Sequence, residues 1–263
     1  MLLVNDKPGV LLKRAADATK LQEVQLPGRG YTPSMHWLLP CVAAVASAAF
    51  ATAVLRQYAA RRRPYQLAWG IALSMFAAAS LALTVGVAAG WTPLTFKLYY
   101  LFGAVLNVPW LALGTVELLA GRTTRRLYAA GLGAFTVLSV VLVALARITP
   151  ADLAGRLLPE GKEFLPVAVR VLAVVGNTVG TVIVVGGAVT SGLAMRARRD
   201  LRPRFEGNLL IALGVLLAAG GGVFAFLASS DKLALSLALG ASVMYLGFRR
   251  ASAPARPPVA SGP

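Results

Sequence analysis

Long apolar runs separated by short polar stretches make up most of the chain after residue 37. At a rise of about 1.5 Å per residue, runs of this length match the roughly 30 Å of hydrocarbon in a bilayer. None of them alternates polar and apolar residues, as membrane strands do. The pattern predicts an all-α, polytopic membrane protein, a bundle of seven transmembrane helices, with spans at Leu38–Leu55, Leu67–Ala89, Leu94–Leu119, Leu127–Ala146, Val167–Ala194, Leu209–Ala228 and Leu233–Phe248.

The basic residues orient this predicted bundle, because Lys and Arg beside a span are retained on the cytoplasmic side. Arginines cluster after the odd-numbered spans, whereas the opposite loops hold few basic residues, most of them diluted by acidic ones. We therefore expect the N-terminus outside and the C-terminus inside. The arginines of the inner face are Arg56, Arg61, Arg62, Arg63, Arg122, Arg125, Arg126, Arg196, Arg198, Arg199, Arg202, Arg204, Arg249, Arg250 and Arg256.

Composition agrees with a membrane location. The chain has 263 residues, 57% of them hydrophobic and only 14% charged, and its mean hydropathy is +0.71, outside the soluble range. The formal charge of +16 lies along the predicted inner face, so its expected partners are anionic lipid headgroups rather than nucleic acid. Abundant Arg, Ala, Gly and Val are typical of a GC-rich bacterial genome, which suggests a bacterial plasma membrane.

Three segments differ in composition. Residues 1–34 are mixed polar and lack the apolar core of a signal peptide, so they predict a disordered outer tail. Residues 35–250 form the seven-helix domain, and residues 251–263, rich in Pro, Ala and Ser, predict a disordered cytoplasmic tail. Met35 directly precedes the first span, so translation could begin at Met1 or at Met35.

Ionisable residues inside spans are costly in hydrocarbon and mark candidate functional positions. Glu117 and Arg170 are the two candidates here, for coupling or proton movement. A structural role is the alternative for both, because each lies near a helix end. Glu117 could reach the headgroups or pair with a neighbouring arginine, and Arg170 could reach the outer interface or Glu163.

A polar cleft is a second hypothesis. Pro109 removes a backbone hydrogen bond near the middle of the third span and is a candidate hinge. Asn107, Asn177, Thr178 and Thr181 could line an outward-facing ligand cleft beside it. The alternative is that these side chains only form hydrogen bonds between helices.

Several features are predicted near the outer surface. Gly176 and Gly180 have the spacing that lets helices approach closely. The 147–165 loop predicts a short helix at its start and either a plain connector or a lid, with its leucines Leu153, Leu157 and Leu158 towards the membrane. Aromatic residues that we expect at the outer interface, as anchors or as ligand-stacking groups, are Trp37, Trp91, Tyr99 and Tyr100.

The sequence lacks motifs for catalysis and for binding a metal or a cofactor. His36 is the single histidine and no HExxH occurs, so neither a bis-histidine haem nor a histidine-rich metal site is expected. The last span lacks the lysine that a retinal Schiff base requires. We therefore predict no catalytic residues, no metal and no cofactor. A lipid enzyme with Glu117 as base is the weakest alternative, because no second catalytic group lies near it in sequence.

The third span carries a resemblance to a known family. Its residue series resembles the seven-helix membrane-sensor region at the N-terminus of some bacterial histidine kinases, over about 25 residues: Tyr100, Gly103, Pro109, Leu113, Glu117 and Gly121-Arg122. The resemblance implies an outward-open bundle that senses something in or near the membrane. It also implies that Pro109 acts as a hinge and Glu117 as a polar contact at the inner end. No kinase segment follows Arg250, so a signal would pass to a separate cytoplasmic or membrane signalling partner.

Together these patterns predict a non-enzymatic multi-pass protein, sensor-like or a partner-binding scaffold. The alternative is a small permease or lipid-handling transporter that uses the polar cleft between the third and fifth helices.

Overall fold

Every regular element in the described part of the chain is a helix. The computed structural model describes residues 37–196, 206, 207, 209–211, 213–218 and 230–251. Five helices are long and apolar enough to cross a membrane, which confirms the predicted all-helical, membrane-embedded class. They are α1 (Leu38–Arg61), α2 (Pro64–Ala89), α3 (Pro93–Leu119), α4 (Arg122–Leu145) and α5 (Val167–Arg196).

Two further described helices overlap the last two predicted spans, and neither is among the five candidate membrane spans. A shorter apolar helix, α6, covers Leu209–Ala218, and α7 covers Ser230–Ala251. The predicted tails, Met35 and His36 lie outside the described residues, except for Ala251 at the end of α7.

Local sequence explains where the first helices end. Arg62, at φ 50°, adopts the left-handed conformation after α1, and Pro64 begins α2 with a ring whose φ already suits a helix. Gly90, at φ 91°, ends α2 in a conformation that side chains disfavour. Thr92 and Thr95 then form a reciprocal capping box at the start of α3. The turns between the first three helices are therefore short and well defined.

Helix α3 is not a regular α-helix. Pro93–Leu98 is α-helical, Tyr99–Leu106 is a π-helix of eight residues, and Asn107–Leu119 is α-helical again. The sequence placed the irregularity at Pro109, whereas the structure places it in the two turns before the proline. A π-helix pairs each N–H with the carbonyl five residues earlier, so the missing proline N–H affects a carbonyl inside that widened segment.

Helix α3 is also the centre of the bundle, since it packs against α2, α4 and α5. Glycines on α5 allow the close contact with α3. A Cβ on Gly180 would lie 2.9 Å from Val108 Cγ1 and 3.0 Å from the Val108 carbonyl carbon and oxygen, and one on Gly176 would lie 3.0 Å from Pro109 Cγ. The predicted packing role of Gly176 and Gly180 is confirmed.

Helix α7 is held by aromatic and glycine contacts. The Phe50 ring of α1 lies 5.8 Å from the Tyr245 ring and 5.0 Å from the Phe248 ring, centroid to centroid. A Cβ on Gly240 would lie 2.8 Å from the Gly214 carbonyl oxygen of α6. Aromatic pairs and close backbone contacts form only at particular distances and angles between helices. They therefore fix the position of α7 against α1 and α6.

The loop between α4 and α5 contains two one-turn helices, Pro150–Leu153 and Gly161–Phe164. The first is capped by Asp152, whose carboxylate accepts hydrogen bonds of 2.8 Å from both the backbone N–H and the hydroxyl of Thr149. These two bonds, the backbone one first, hold the pKa of the Asp152 carboxyl below its usual range.

Leu153 and Leu158 of this loop pack against the bundle and do not face the membrane, contrary to the sequence-based expectation. Leu153 is 1% exposed and belongs to a core cluster with Phe96 and Val169, while Leu158 is partly buried against the same cluster. The reason is that the loop folds back over the ends of α3 and α5, where apolar side chains offer a dry surface.

Trp91 is likewise a core residue rather than an interface anchor. It is 6% exposed, its ring packs against Gly86, and its Nε1 donates a 3.0 Å hydrogen bond to the Leu157 carbonyl oxygen. Its ring meets the Phe96 and Tyr99 rings edge to face. Trp91 therefore ties the 147–165 loop to the bundle.

Gly180→Ala tests the close packing of α3 on α5. The added Cβ meets backbone atoms of Val108, which cannot move as a side chain would, so we expect a loss of about 1–3 kcal/mol in the free energy of unfolding. Gly186→Ala is the matched control on the same helix, because a Cβ there meets no atom within 4 Å. Both are measured by SDS titration in mixed micelles, and equal stability of the two variants would contradict the packing described.

Candidate ligand cavity

A cavity of about 830 Å³ lies inside the bundle. Its walls come from α2, α3, α5, α6, α7 and the 147–165 loop. The volume is within the range of about 300–1,000 Å³ that is typical of small-molecule sites. Most of the lining residues are apolar: Leu73, Phe76, Ala79, Leu83, Gly103, Ala104, Val108, Leu111, Leu158, Pro159, Gly161, Ala173, Val174, Val215, Ala218, Leu237 and Met244.

The polar cleft residues chosen from the sequence share this cavity. Asn107 and three residues of α5, Asn177, Thr178 and Thr181, all line its wall, and so does Arg170. Asn177 lies seven residues after Arg170 on α5, which places it about 10 Å further along the helix axis. The cavity thus has a cationic end near the 147–165 loop and a band of neutral polar groups deeper in the bundle.

Pro109 and Glu117 do not line this cavity. Pro109 is buried where α3 packs against α4 and α5, and its ring lies beside Gly176 of α5. Glu117 lies near the opposite end of α3, where its carboxylate is 3.8 Å from an Arg125 guanidinium nitrogen. Arg125 also donates a 2.9 Å hydrogen bond to the Ala120 carbonyl oxygen. This geometry matches the structural alternative for Glu117, a contact with a neighbouring arginine.

Asn177 forms a hydrogen bond beside the junction between the π-helical and α-helical segments of α3. Where the hydrogen-bond spacing changes from five residues to four, a carbonyl is left without its helical donor, and Pro109 removes one more N–H just beyond this junction. The Asn177 side chain supplies a donor there, with Nδ2 2.6 Å from the Ala104 oxygen. The sequence left open whether Asn177 lines a cleft or forms a hydrogen bond between helices. In the structure its side chain does both.

Two other helices donate side chains to the backbone of α3. The Tyr128 hydroxyl of α4 donates to the Pro109 carbonyl oxygen at 3.1 Å, and Trp69 Nε1 of α2 donates to the Leu111 carbonyl oxygen at 3.1 Å. The sequence analysis missed both donors. Both accepting residues lie in the α-helical segment Asn107–Leu119, and the sequence around them does not reveal which neighbouring helix supplies a donor.

Two buried polar atoms of the cavity wall lack a hydrogen-bond partner among the described residues. They are Arg170 Nε and Ser80 Oγ. Ser80 was not predicted, because a serine in an Ala-rich span gives no signal by itself. Buried polar groups are nearly always paired with protein, water or ligand, so these two atoms are exceptions in the cavity wall.

The cationic end contains one compensated and one uncompensated charge. Lys162 Nζ lies 2.6 Å from the Glu160 carboxylate, and this hydrogen bond raises the pKa of the Lys162 amine. Glu163, which the sequence offered as a partner for Arg170, instead contacts Arg156. Within the described chain, no ion pair forms at Arg170.

Other sites are less developed. A second cavity of about 60 Å³ lies further towards the end of α3 that bears Glu117, and it shares Leu73, Leu111 and Met244 with the large one. In the described ranges no three His, Cys, Asp or Glu side chains come together as a metal site.

Comparison of the chain with protein-family models, with curated proteins and with solved structures gives no match.

A double-mutant cycle tests the link between Pro109 and Asn177. Asn177→Ala alone leaves the Ala104 carbonyl unpaired, and we expect a loss of about 0.5–1.5 kcal/mol in the free energy of unfolding. Pro109→Ala restores a backbone N–H, so the same Asn177 change should cost much less in that background. Equal costs in both backgrounds, measured by SDS titration in mixed micelles, would contradict the pairing.

Proposed function

We propose that this protein is a non-enzymatic, sensor-like membrane protein that binds a small amphipathic molecule inside its helical bundle. The observation that carries the proposal is the cavity of about 830 Å³, with apolar walls, a polar band and a cationic end. A mostly apolar cavity with a few convergent polar groups is the usual form of a small-molecule site.

The helices around the cavity suggest how occupancy would be transmitted. Helix α3 forms one wall and continues to the end of the bundle where Glu117 meets Arg125. Its π-helical segment, Tyr99–Leu106, borders the cavity, and π segments inside helices are frequent at functional sites. An occupant that contacts this segment would shift the remainder of α3, and a separate signalling partner on the arginine-rich loops would read the shift.

The resemblance of the third span to kinase-linked sensor regions supports this reading. The topology belongs to the same proposal: seven spans, with the N-terminus outside and the C-terminus inside, in a bacterial plasma membrane. In this arrangement the cavity's cationic end faces outwards, and the arginines after the odd-numbered spans face anionic lipid headgroups inside.

A transporter is the second candidate, and one observation favours it. The small cavity of about 60 Å³ lies further along α3 and α5 than the large one, and Leu73, Leu111 and Met244 line both cavities. A permease or lipid-handling protein would need such a path across the membrane. The two candidates differ in whether the bound molecule crosses.

Cysteine accessibility tests the topology. In a Cys41→Ser background, single cysteines at Thr123 and Gly155 report on the loops after α3 and α4. We expect an impermeant maleimide added to intact cells to label Gly155→Cys and not Thr123→Cys, since these loops lie on opposite sides. Labelling of both positions, or epitope tags at the two chain ends that face the same side, would contradict the seven-span arrangement.

A cavity-blocking variant tests binding. Thr181→Trp puts an indole into the cavity wall, whereas Val182→Trp puts the same group on a residue that is 67% exposed on the outer face of the same helix. In phosphatidylcholine nanodiscs, at least one of an anionic, a neutral and a cationic dodecyl amphiphile should raise the melting temperature of the wild type and of Val182→Trp.

Thr181→Trp should lose that increase. Failure of all three amphiphiles to shift the wild-type protein would reject the proposed function. If binding occurs and vesicles containing the protein also move the same amphiphile across the bilayer, the transporter replaces the sensor.

A further inference from the structure

The structure points to the class of molecule that the cavity selects, an inference that rests on the proposed function. We infer that the occupant is an acidic amphiphile with one acyl chain. Its carboxylate or phosphate headgroup binds the Arg170 guanidinium, and its chain lies along the apolar walls between α2, α3 and α5.

The first argument is the missing counter-charge. Arg170 lines the cavity, and its buried Nε has no hydrogen-bond partner. Since no carboxylate of the described residues lies within ion-pair distance, the charge is uncompensated at the edge of the hydrocarbon. A buried guanidinium N–H without a hydrogen-bond partner is costly, and Arg170 is otherwise half-buried. An anionic headgroup supplies two or more oxygens in the geometry that the planar guanidinium prefers.

The second argument is that the neighbouring cations are already paired. Lys162 is held by Glu160, and Arg156 contacts Glu163. Each of these pairs is close to neutral as a unit, so neither attracts an anion as strongly as a lone arginine. Of the two cations that line the cavity, Lys162 and Arg170, only Arg170 therefore lacks a carboxylate partner among the described residues. Tyr100 also lines the cavity and adds a hydroxyl group to its wall.

The third argument is the length of the cavity. Along α5 its wall extends from Arg170 past the apolar Ala173 and Val174 to the polar band that ends at Thr181, a distance of about 16 Å at 1.5 Å per residue. Along α2 it extends from Leu83 to Leu73, beside apolar residues of α3. A free phosphate or acetate ion would leave this length empty, and a neutral chain would leave Arg170 unpaired. Only a molecule with both an anionic headgroup and an apolar chain would pair with Arg170 and also fill the length of the cavity.

Binding to the protein in phosphatidylcholine nanodiscs tests the inference. The probes are dodecanoate, dodecyl phosphate, dodecanol, dodecyltrimethylammonium, inorganic phosphate and acetate, each titrated by microscale thermophoresis. We expect the two anionic amphiphiles to bind at least tenfold more tightly than dodecanol or the ammonium compound. Inorganic phosphate and acetate should show no saturable binding, which separates a lipid-like source of the headgroup from a free ion.

Arginine variants locate the headgroup. Arg170→Gln should weaken dodecanoate and dodecyl phosphate by about 10- to 100-fold and leave dodecanol unchanged. Arg170→Lys should retain part of the affinity, because it keeps the charge and loses the planar fork. Arg147→Gln is the matched control: this exposed arginine lies near the same end of the bundle and does not line the cavity. Unchanged dodecanol binding also shows that Arg170→Gln has folded.

The inference is overturned if Arg170→Gln binds the anionic amphiphiles as tightly as the wild type does, or if dodecanol binds as tightly as dodecanoate. In either case binding as such persists, so the proposed function survives. If no dodecyl compound binds the wild type at all, the proposed function itself fails, and this inference fails with it.

Discussion

The bundle depends on satisfying the backbone of one irregular helix in a setting where water is scarce. Hydrocarbon offers no hydrogen-bond partners, so each carbonyl freed from the helical ladder needs a donor from the protein. The π-helical segment and Pro109 interrupt the ladder of α3, and side chains of three neighbouring helices donate hydrogen bonds at or near this interruption. Asn177, Tyr128 and Trp69 donate to carbonyls of α3 at Ala104, Pro109 and Leu111. These bonds hold α2, α4 and α5 around α3.

The same arrangement places a polar site in the membrane. A widened helix cannot pack as closely as a regular one, and the glycines of α5 bring its backbone against Val108 just beyond the widened segment. The cavity lies beside this region, with Asn107 and Asn177 in its wall. Asn177 therefore both lines the cavity and donates the hydrogen bond that holds the α3 backbone at Ala104.

Several charged side chains at the two ends of the bundle have partners of opposite charge. At the loop end, Lys162 and Arg156 have carboxylate partners, and at the opposite end Glu117 lies near Arg125. Arg170 is the exception among the described residues that line the cavity, because the glutamate expected to reach it is engaged by Arg156. Whether Arg170 has a carboxylate partner therefore depends on how the neighbouring loop residues pair, and not on its position along α5.

The sequence by itself determined the helices, since apolar runs of span length leave no other stable backbone in a bilayer. It also identified Asn107, Asn177, Thr178, Thr181 and Arg170, because polar groups are conspicuous in such runs. Only the tertiary structure decided that these five share one cavity, that the irregularity precedes Pro109, and that Trp91 and Leu153 face inward. Apolar patterning states that a side chain avoids water, but it does not distinguish lipid from a neighbouring helix, and hydrogen-bond partners distant in sequence leave no local signal.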